Sequence, residues 1–310
     1  MPSHQGAIRL FRLAGIDVFL HWSWFVVAVY EIQARGGHYS SLLWNVLEYL
    51  ALFAVVTTHE FGHSLACRQV GGTAERIVLW PLGGVAYVSP PQRPGATLWS
   101  LAAGPLVNVA LVPILMGLGW TSGLFGGAEA HPDLAILLRA VFFMNLVILV
   151  FNLLPVYPLD GGQILRSLLW FALGRARSLM VATLLGFLGV LAIVTVAFQL
   201  QSVWLGIVAA FVALNCWSGF QQARRLSQLA RLARHHGFAC PSCGEAPPIG
   251  PFWGCGRCGQ PFDSFETHAR CPACGTSFDA ARCVDCGSLS PVAGWAGHRA
   301  GSVRIDPQQA

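Results

Sequence analysis

The sequence predicts an α-helical polytopic membrane protein with about six transmembrane helices and a short membrane-associated β-hairpin, followed by a small cytoplasmic cysteine-rich domain. Of its 310 residues, 55% are hydrophobic and only 11% are charged, against roughly 25% charged in a soluble domain. Apolar runs of about 20 residues, the length that crosses a bilayer as a helix, recur over the first 220 residues. Eight of the ten cysteines follow Phe238, in four CxxC pairs.

Six apolar segments are long enough to be considered as transmembrane helices. They cover residues 16–32, 42–67, 97–120, 134–157, 179–200 and 203–220. The first is the weakest, because Asp17, His21 and Glu31 interrupt it. The N-terminus lacks the short apolar core and small-residue cleavage site of a signal peptide, so no cleavable leader is expected.

Arginines predict the orientation of these segments. Positive charge is enriched in cytoplasmic loops, and the arginines fall in alternate, mutually consistent loops: Arg9, Arg12, Arg68, Arg76, Arg93, Arg166, Arg175, Arg177, Arg224, Arg225, Arg231 and Arg234. With six spans, both termini are expected in the cytoplasm and the protein in the plasma or inner membrane. This topology signal accounts for the net charge of +5, so we do not expect nucleic-acid binding from it.

Composition divides the chain into four parts. Residues 1–220 are the predicted membrane domain, 221–237 a basic amphipathic linker helix, 238–287 a cysteine domain and 288–310 a disordered tail rich in Gly and Ala. Between the second and third apolar segments lies "GGTAERIVLWPLGGVAYVSPPQRPG", whose apolar runs are too short to span the membrane. Its apolar stretches on either side of Leu82, Gly83 and Gly84 predict a hairpin or re-entrant loop.

Three ionisable residues lie inside the second apolar segment, in "HEFGH". His59 and His63 are four residues apart and share one face of a helix, so both can point a nitrogen at one metal ion. Glu60 lies on the adjacent side, as in the HExxH motif of zinc hydrolases, where the Glu is a general base. An unpaired acid at mid-membrane costs at least about 2.5 to 3.5 kcal/mol, which favours a functional metal site over a chance match.

A catalytic zinc usually has three protein ligands, so a further residue is needed. The metzincin pattern is excluded, because Ala66 and Gln69 stand where it requires Gly and His. Asp160, in "NLLPVYPLDGG", lies at a membrane depth similar to that of the histidines, and the prolines and glycines around it free the backbone to turn inward. Asp133 and His131 belong to the opposite side of the membrane and are poor alternatives.

These motifs resemble those of the site-2 protease family of intramembrane zinc metalloproteases. "HEFGH", "NLLPVYPLDGG", "PLGG" and the "AGPLVN" of the third segment carry the resemblance, which covers residues 8–220. It implies His59, His63 and Asp160 as zinc ligands, Glu60 as the base, and a core formed by the second to fourth spans. The accessory part differs from many bacterial relatives, which carry a PDZ or nucleotide-sensing module instead of cysteine pairs.

Further residues are candidates for contact with substrate. We expect the hairpin around Leu82, Gly83, Gly84 and Val85 to receive an unwound substrate as an added strand. Asn108 and Asn152 are polar residues inside apolar helices, where Asn commonly forms interhelical hydrogen bonds. The resemblance adds a substrate-binding role for Asn108 and, for Asn152, a catalytic role in positioning or polarising the substrate. His21, beside two tryptophans, is expected to be structural.

The four cysteine pairs predict two structural zinc sites in a double zinc ribbon, because each pair is followed directly by Gly and a reducing cytoplasm disfavours disulfides. Adjacent pairing is the simpler expectation: Cys240, Cys243, Cys255 and Cys258 around one zinc, and Cys271, Cys274, Cys283 and Cys286 around the other. Interleaved pairing stays open. Acidic residues offset the arginines here, which favours a cytoplasmic protein partner over nucleic acid. Cys67 and Cys216 are expected to be packing residues.

The leading functional hypothesis is a zinc endopeptidase that cleaves membrane-anchored proteins within or near their transmembrane segments, as in regulated intramembrane proteolysis. It requires one catalytic and two structural Zn²⁺ ions, a membrane-anchored protein substrate and the lipid bilayer. The alternatives are a membrane protein that transports or senses metal and a catalytically silent scaffold that recruits partners through the ribbons. Glu60 favours the protease, because a transporter needs ligands but no base.

Overall fold

A computed structural model describes residues 6–34, 37–80, 83–121 and 132–296. Five of the described helices are long and apolar enough to cross a membrane. They are α2 (Leu42–Gln69), α3 (Pro94–Thr121), α4 (Pro132–Leu153), α5 (Asp160–Gln199) and α6 (Val203–Leu229). A shorter helix, α1 (Ser23–Ala34), precedes them.

The first predicted span, residues 16–32, is not one helix, and that prediction is wrong. Its first part is strand β2 (Ile16–His21), which follows strand β1 (Ala7–Leu13). Ile16, Val18 and Leu20 are buried at alternate positions, the period of two that characterises a strand. Only the second part, α1, is helical.

Contacts at the two ends of α2 define the two ends of the bundle. Ser40, just before α2, donates its backbone N–H to Asp133 Oδ1 at 3.0 Å, at the start of α4. We call this the far end of the bundle. At the other end Trp99, near the start of α3, donates to Gln69 at the end of α2. With 12 residues, α1 is about 18 Å long, which is shorter than the roughly 30 Å hydrocarbon core.

A break divides α5 into two parts. Gly174 has φ 77° and ψ 170° inside this helix, a conformation essentially reserved for glycine. The residues from Asp160 to Gly174 therefore form a separate arm that ends beside the cysteine domain, where Arg175 donates to the backbone carbonyl of Asp285 at 2.9 Å. The rest of α5 packs against α6.

The predicted hairpin is present as part of a larger sheet. Strands β3 (Thr73–Trp80) and β4 (Gly83–Ser89) pair antiparallel, with Trp80 opposite Gly83; Pro81 and Leu82 lie outside the described residues. The sheet order is β1-β2-β3-β4, and β2 pairs parallel with β3. Strand β4 is thus an edge strand, and it packs against α2. His21 stacks on Trp80 with ring centroids 3.9 Å apart, in agreement with a structural role.

The linker and the tail differ from their predicted boundaries. Helix α6 continues without interruption to Leu229, and the remainder of the predicted 221–237 helix is not helical. The cysteine domain does not end at residue 287: strand β8 (Leu289–Pro291) pairs with β7 (Ala280–Arg282), and a 3₁₀ helix (Val292–Trp295) follows. Trp295 is fully buried in the core of the cysteine domain. Residues 288–296 therefore belong to this domain and not to the predicted disordered tail.

The cysteines pair in nested order, which corrects the predicted adjacent pairing. One cluster contains Cys240, Cys243, Cys283 and Cys286, and the other contains Cys255, Cys258, Cys271 and Cys274. Sulfurs from different CxxC pairs approach to 3.5–3.8 Å. This is far beyond the ~2.05 Å of a disulfide and close to the roughly 3.8 Å between sulfurs at the corners of a tetrahedron with 2.3 Å zinc bonds. The donor sets therefore fit structural zinc.

All four CxxC turns have the same backbone construction. In each turn the N–H of the following Gly bonds the carbonyl of the first Cys at 2.8–2.9 Å. Those glycines, Gly244, Gly259, Gly275 and Gly287, have φ between 70° and 77°. The positive φ explains why Gly recurs after every second cysteine.

Candidate metal centre

The two histidines and Asp160 converge at one point between α2, α3 and α5. His59 Nε2 lies 3.1 Å from His63 Nε2 and 3.1 Å from Asp160 Oδ2, and the distance from His63 Nε2 to that oxygen is 3.3 Å. Three ligands of a tetrahedral ion bound at 2.0–2.1 Å would lie roughly 3.3 to 3.4 Å apart. The triangle therefore matches a zinc site, as the sequence predicted.

Hydrogen bonds to the remaining ring nitrogens define the tautomers of both histidines. His59 Nδ1 donates to the side-chain oxygen of Asn108 at 2.5 Å, and His63 Nδ1 donates to the carbonyl of Ser100 at 2.8 Å. Both partners are acceptors, so each Nδ1 carries the proton and each Nε2 has a lone pair for a metal. Two lone pairs facing one another at 3.1 Å repel unless a cation lies between them.

Asn108 forms hydrogen bonds to two neighbouring helices, as is common for Asn inside an apolar helix. It is fully buried, its oxygen holds His59, and its amide donates to Asn145 Oδ1 at 2.8 Å. Asn145 in turn donates to the backbone carbonyl of Asn108 at 3.0 Å. Both polar atoms of the Asn108 side chain are thus bonded inside the bundle, and the substrate-binding role expected for Asn108 stays a prediction.

Sequence reasoning missed Asn145. This residue is also fully buried, in the middle of the apolar helix α4, and a polar residue at such a position was the available signal. Asn152 lies seven residues further on, two helical turns away on the same face. It is partly exposed, and its side chain forms no hydrogen bond to the described residues. Its predicted catalytic role stays a prediction.

Two glycines without a Cβ leave room for the side chains of the histidines and Glu60. A Cβ on Gly104 of α3 would lie 2.9 Å from His59 Nε2 and overlap the ring of His63, and a Cβ on Gly84 of β4 would lie 2.5 Å from Glu60 Oε1. Such distances essentially never occur for a real Cβ. The "AGPLVN" and "PLGG" motifs thus bring α3 and β4 into backbone contact with the site.

The hairpin holds Glu60 directly. The N–H of Ala86 in β4 donates to Glu60 Oε2 at 3.0 Å, and Glu60 is 7% exposed. Because this N–H faces Glu60, it points away from β3, towards the outer edge of the sheet. Peptide groups alternate along a strand, so Gly84 and Val88 present theirs to the same edge, whereas those of Gly83 and Val85 face β3. The edge strand and the glutamate therefore meet at one place.

Comparison with known proteins agrees with this geometry. The profile of Peptidase family M50 matches residues 48–130 and 120–196. A zinc metalloprotease of Methanocaldococcus jannaschii is 31% identical over 229 residues, which are 74% of this chain and 64% of that protein. Stage IV sporulation protein FB of Bacillus subtilis is 28% identical over 225 residues, 70% of this chain and 72% of that protein.

Other matches are more limited. Rip3 of Mycobacterium tuberculosis is 31% identical over 180 residues, 54% of this chain and 44% of that protein. The chain thus spans 64% and 44% of the lengths of the Methanocaldococcus and Mycobacterium relatives. The solved site-2 protease of M. jannaschii is 29% identical, with a TM-score of 0.49, covering 69% of this chain and 95% of that chain. This chain has the HExxH helix and the aspartate, and the profile matches most of its membrane part. The membrane part of this chain therefore belongs to peptidase family M50, the site-2 proteases.

Proposed function

We propose that this protein is a zinc-dependent endopeptidase that cleaves membrane-anchored proteins within or next to their transmembrane segments. The observation that carries the proposal is the triangle of His59, His63 and Asp160 with Glu60 beside it on the edge of β4. The donor set supports zinc, and the relatives named zinc metalloproteases support peptide hydrolysis. Arginines at the end of the bundle that carries the cysteine domain support cytoplasmic termini and a location in the plasma or inner membrane.

The chemistry divides between the metal and the protein. Zinc held by His59, His63 and Asp160 would act as a Lewis acid that polarises the substrate carbonyl and lowers the pKa of water. Glu60 accepts the proton that the attacking water loses and returns it to the leaving amine. Asn108 and Ser100 keep both imidazoles in the tautomer that presents Nε2.

The outer edge of β4 is the proposed place of substrate binding. A transmembrane helix hides its carbonyls in its own hydrogen bonds, so it must unwind before hydrolysis. An extended segment paired with β4 would have its backbone bonded to Gly84 and Val88 and would pass Glu60. The Ala86 N–H that holds Glu60 lies on this same edge, so an added strand competes with Glu60 for it.

The decisive experiment compares wild type with Glu60→Gln at verified equal zinc content, using detergent-purified protein and a panel of designed single-span substrates. We expect cleavage by wild type and none by Glu60→Gln. Glu48→Gln is the matched control: Glu48 is a buried acid on the same helix, bonded to Tyr39 at 2.6 Å, and its variant should cleave like wild type. Equal cleavage by wild type and Glu60→Gln refutes the proposed base.

Proline substitution tests the edge-strand mode. Val88→Pro removes an N–H from the outer edge, where an edge strand tolerates proline, and should lower cleavage without loss of zinc. Val88→Ala is its control. Undiminished cleavage by Val88→Pro would exclude pairing at that position.

A further inference from the structure

A cleft of about 610 Å³ lies between the membrane domain and the cysteine domain, within the 300–1,000 Å³ typical of binding clefts. One wall contains the residues on either side of the hairpin, 70–73 and 89–93, together with Ala96. The other wall is formed by Pro241, Ser242 and residues 286–288. It is open at the surface and lined mainly by small and polar side chains.

The cleft continues the outer edge of β4. Ser89, the last residue of this strand, is part of the wall. From Ala86, which touches Glu60, to Ser89 is three residues, or about 10 Å of extended chain. A strand paired with β4 therefore leaves the site towards the cleft, and the cysteine domain forms the side of the cleft opposite the hairpin.

Hydrogen bonds hold the cysteine domain in this position. Asp285, between the cluster ligands Cys283 and Cys286, accepts from Arg234 at 2.6 and 3.1 Å. Its carbonyl accepts from Arg175, just after the break in α5. These contacts tie one CxxC turn to α5 and to the segment that follows α6, so the wall opposite β4 has a defined place.

We propose that this cleft binds the polar segment that flanks the cleaved part of the substrate, in extended form and with an acidic residue facing Arg93. This proposal rests on the proposed function. Two observations select this occupant: the cleft continues the strand edge that ends at Glu60, and Arg93 is exposed and is the one charged side chain among the described residues that line the cleft. The cysteine domain thus contributes to substrate selection next to the membrane.

Kinetics with a charge exchange test the proposal. Three substrates share one transmembrane sequence and carry, on the side of the cysteine domain, no polar tail, a Glu-containing tail or a Lys-containing tail. For wild type we expect KM to be lowest with the Glu tail, by about twofold to fivefold relative to the Lys tail, the range of an exposed ion pair. Arg93→Glu should reverse that order.

Arg177→Glu is the matched control, since Arg177 is an exposed arginine of the same half of the protein that does not line the cleft. It should keep the wild-type order. An unchanged order in Arg93→Glu, or one KM for all three substrates, overturns the proposal.

Cross-linking separates this proposal from the failure of proteolysis. In full-length Glu60→Gln protein, a photoreactive amino acid in place of Gln92, a cleft residue, should cross-link to the Glu-tailed substrate and not to the tailless one. The same amino acid in place of Gln228, exposed near the end of α6, should show no dependence on the tail. Tail-independent cross-linking at Gln92 refutes the cleft as the binding site even where no substrate is cleaved, whereas tail-dependent cross-linking without cleavage by wild type refutes only the proposed function.

Discussion

Asn108→Ala should weaken metal binding while leaving all three ligands in place. The substitution removes the oxygen that accepts from His59 Nδ1 at 2.5 Å and the amide that donates to Asn145. The bond from Asn145 to the backbone carbonyl of residue 108 is retained. Two buried groups therefore lose a partner, the His59 N–H and the Asn145 side-chain oxygen.

These two losses affect different measurable quantities. The bond to His59 selects its tautomer and ring orientation, and removal of such a partner typically lowers metal affinity ten- to hundredfold, or about 1.4 to 2.7 kcal/mol. The bond to Asn145 joins α3 to α4 and affects the free energy of unfolding. Interhelical hydrogen bonds in membranes average about 0.6 kcal/mol, so the loss of stability should be smaller than the loss of affinity.

Competition with a chromophoric chelator measures zinc affinity, and thermal unfolding in detergent measures stability. Asn152→Ala is the matched control, because Asn152 lies on the same face of α4 as Asn145 and bonds none of the ligands. It should retain wild-type zinc affinity, and reduced cleavage at full zinc occupancy would support its predicted contact with substrate. Wild-type affinity in Asn108→Ala would show that the asparagine does not orient His59.

Three further predictions concern glycines and the cysteine domain. Gly104→Ala should abolish zinc binding at the histidines, measured by metal analysis, because its Cβ would lie 2.9 Å from His59 Nε2; Gly117→Ala, where an added Cβ meets nothing within 4 Å on the same helix, should bind zinc normally. Gly174→Ala should cost about 1–3 kcal/mol of unfolding free energy, seen as a lower Tm, whereas Gly206→Ala in α6 should not. Asp263→Asn should speed the loss of zinc from the cysteine domain to a chelator, because the carboxylate accepts hydrogen bonds from Gly250 at 2.7 Å and His235 at 2.8 Å. An unchanged rate of zinc loss would show that Asp263 does not stabilise this domain.

The charge of Asp263 also implies a dependence on pH. Burial alone would raise the pKa of Asp263, but hydrogen bonds from Gly250, His235 and the N–H groups of Phe265 and Glu266 outweigh it and hold the pKa below its ordinary value. A carboxyl whose pKa is depressed on folding stabilises the folded state above its unfolded pKa, about 3.9, and loses that contribution as the pH falls. In Asp263→Asn the difference in stability from wild type should therefore shrink below about pH 4.

Local patterns predicted which residues lie together at the candidate metal centre. His59, Glu60 and His63 lie within five residues of one helix, so the helical repeat alone places them together. Asp160 is about a hundred residues away, and only its membrane depth and the neighbouring helix breakers connected it to them. Asn145 carries no such pattern, because its role depends on which helix α4 faces. The hydrophobic period of a helix does not show which neighbouring helix it contacts.

Short strands in an apolar chain were harder to recognise. The segment 16–32 has a composition that fits a transmembrane helix, yet Ile16, Val18 and Leu20 are buried at every second position, because β2 inserts beside β3 at residues 17–20 and 76–79. That pairing is parallel and joins segments almost 60 residues apart. A window of about 20 residues averages over such a strand and the helix that follows it.

The cysteine pairing shows why spacing alone does not determine a metal cluster. Each CxxC turn lies between two short chain segments, and β5 (Trp253–Gly254) with β6 (Pro261–Phe262) joins those on either side of the second turn, as β7 with β8 does for the fourth. Any two turns can supply four sulfurs, so the choice depends on what the core between them contains.

In this domain Phe265, between the second and third turns, packs against Trp253 and Trp295 with ring centroids 5.2 and 4.8 Å apart. The segment after the fourth turn thus enters the core, and the backbone N–H of Ala239 bonds the carbonyl of Trp295 at 3.0 Å, beside the first turn. This closure brings the first and fourth turns together and leaves the second and third to share the other cluster, so truncation before Trp295 should release zinc from the Cys240 cluster before the Cys255 cluster, as chelator competition would show.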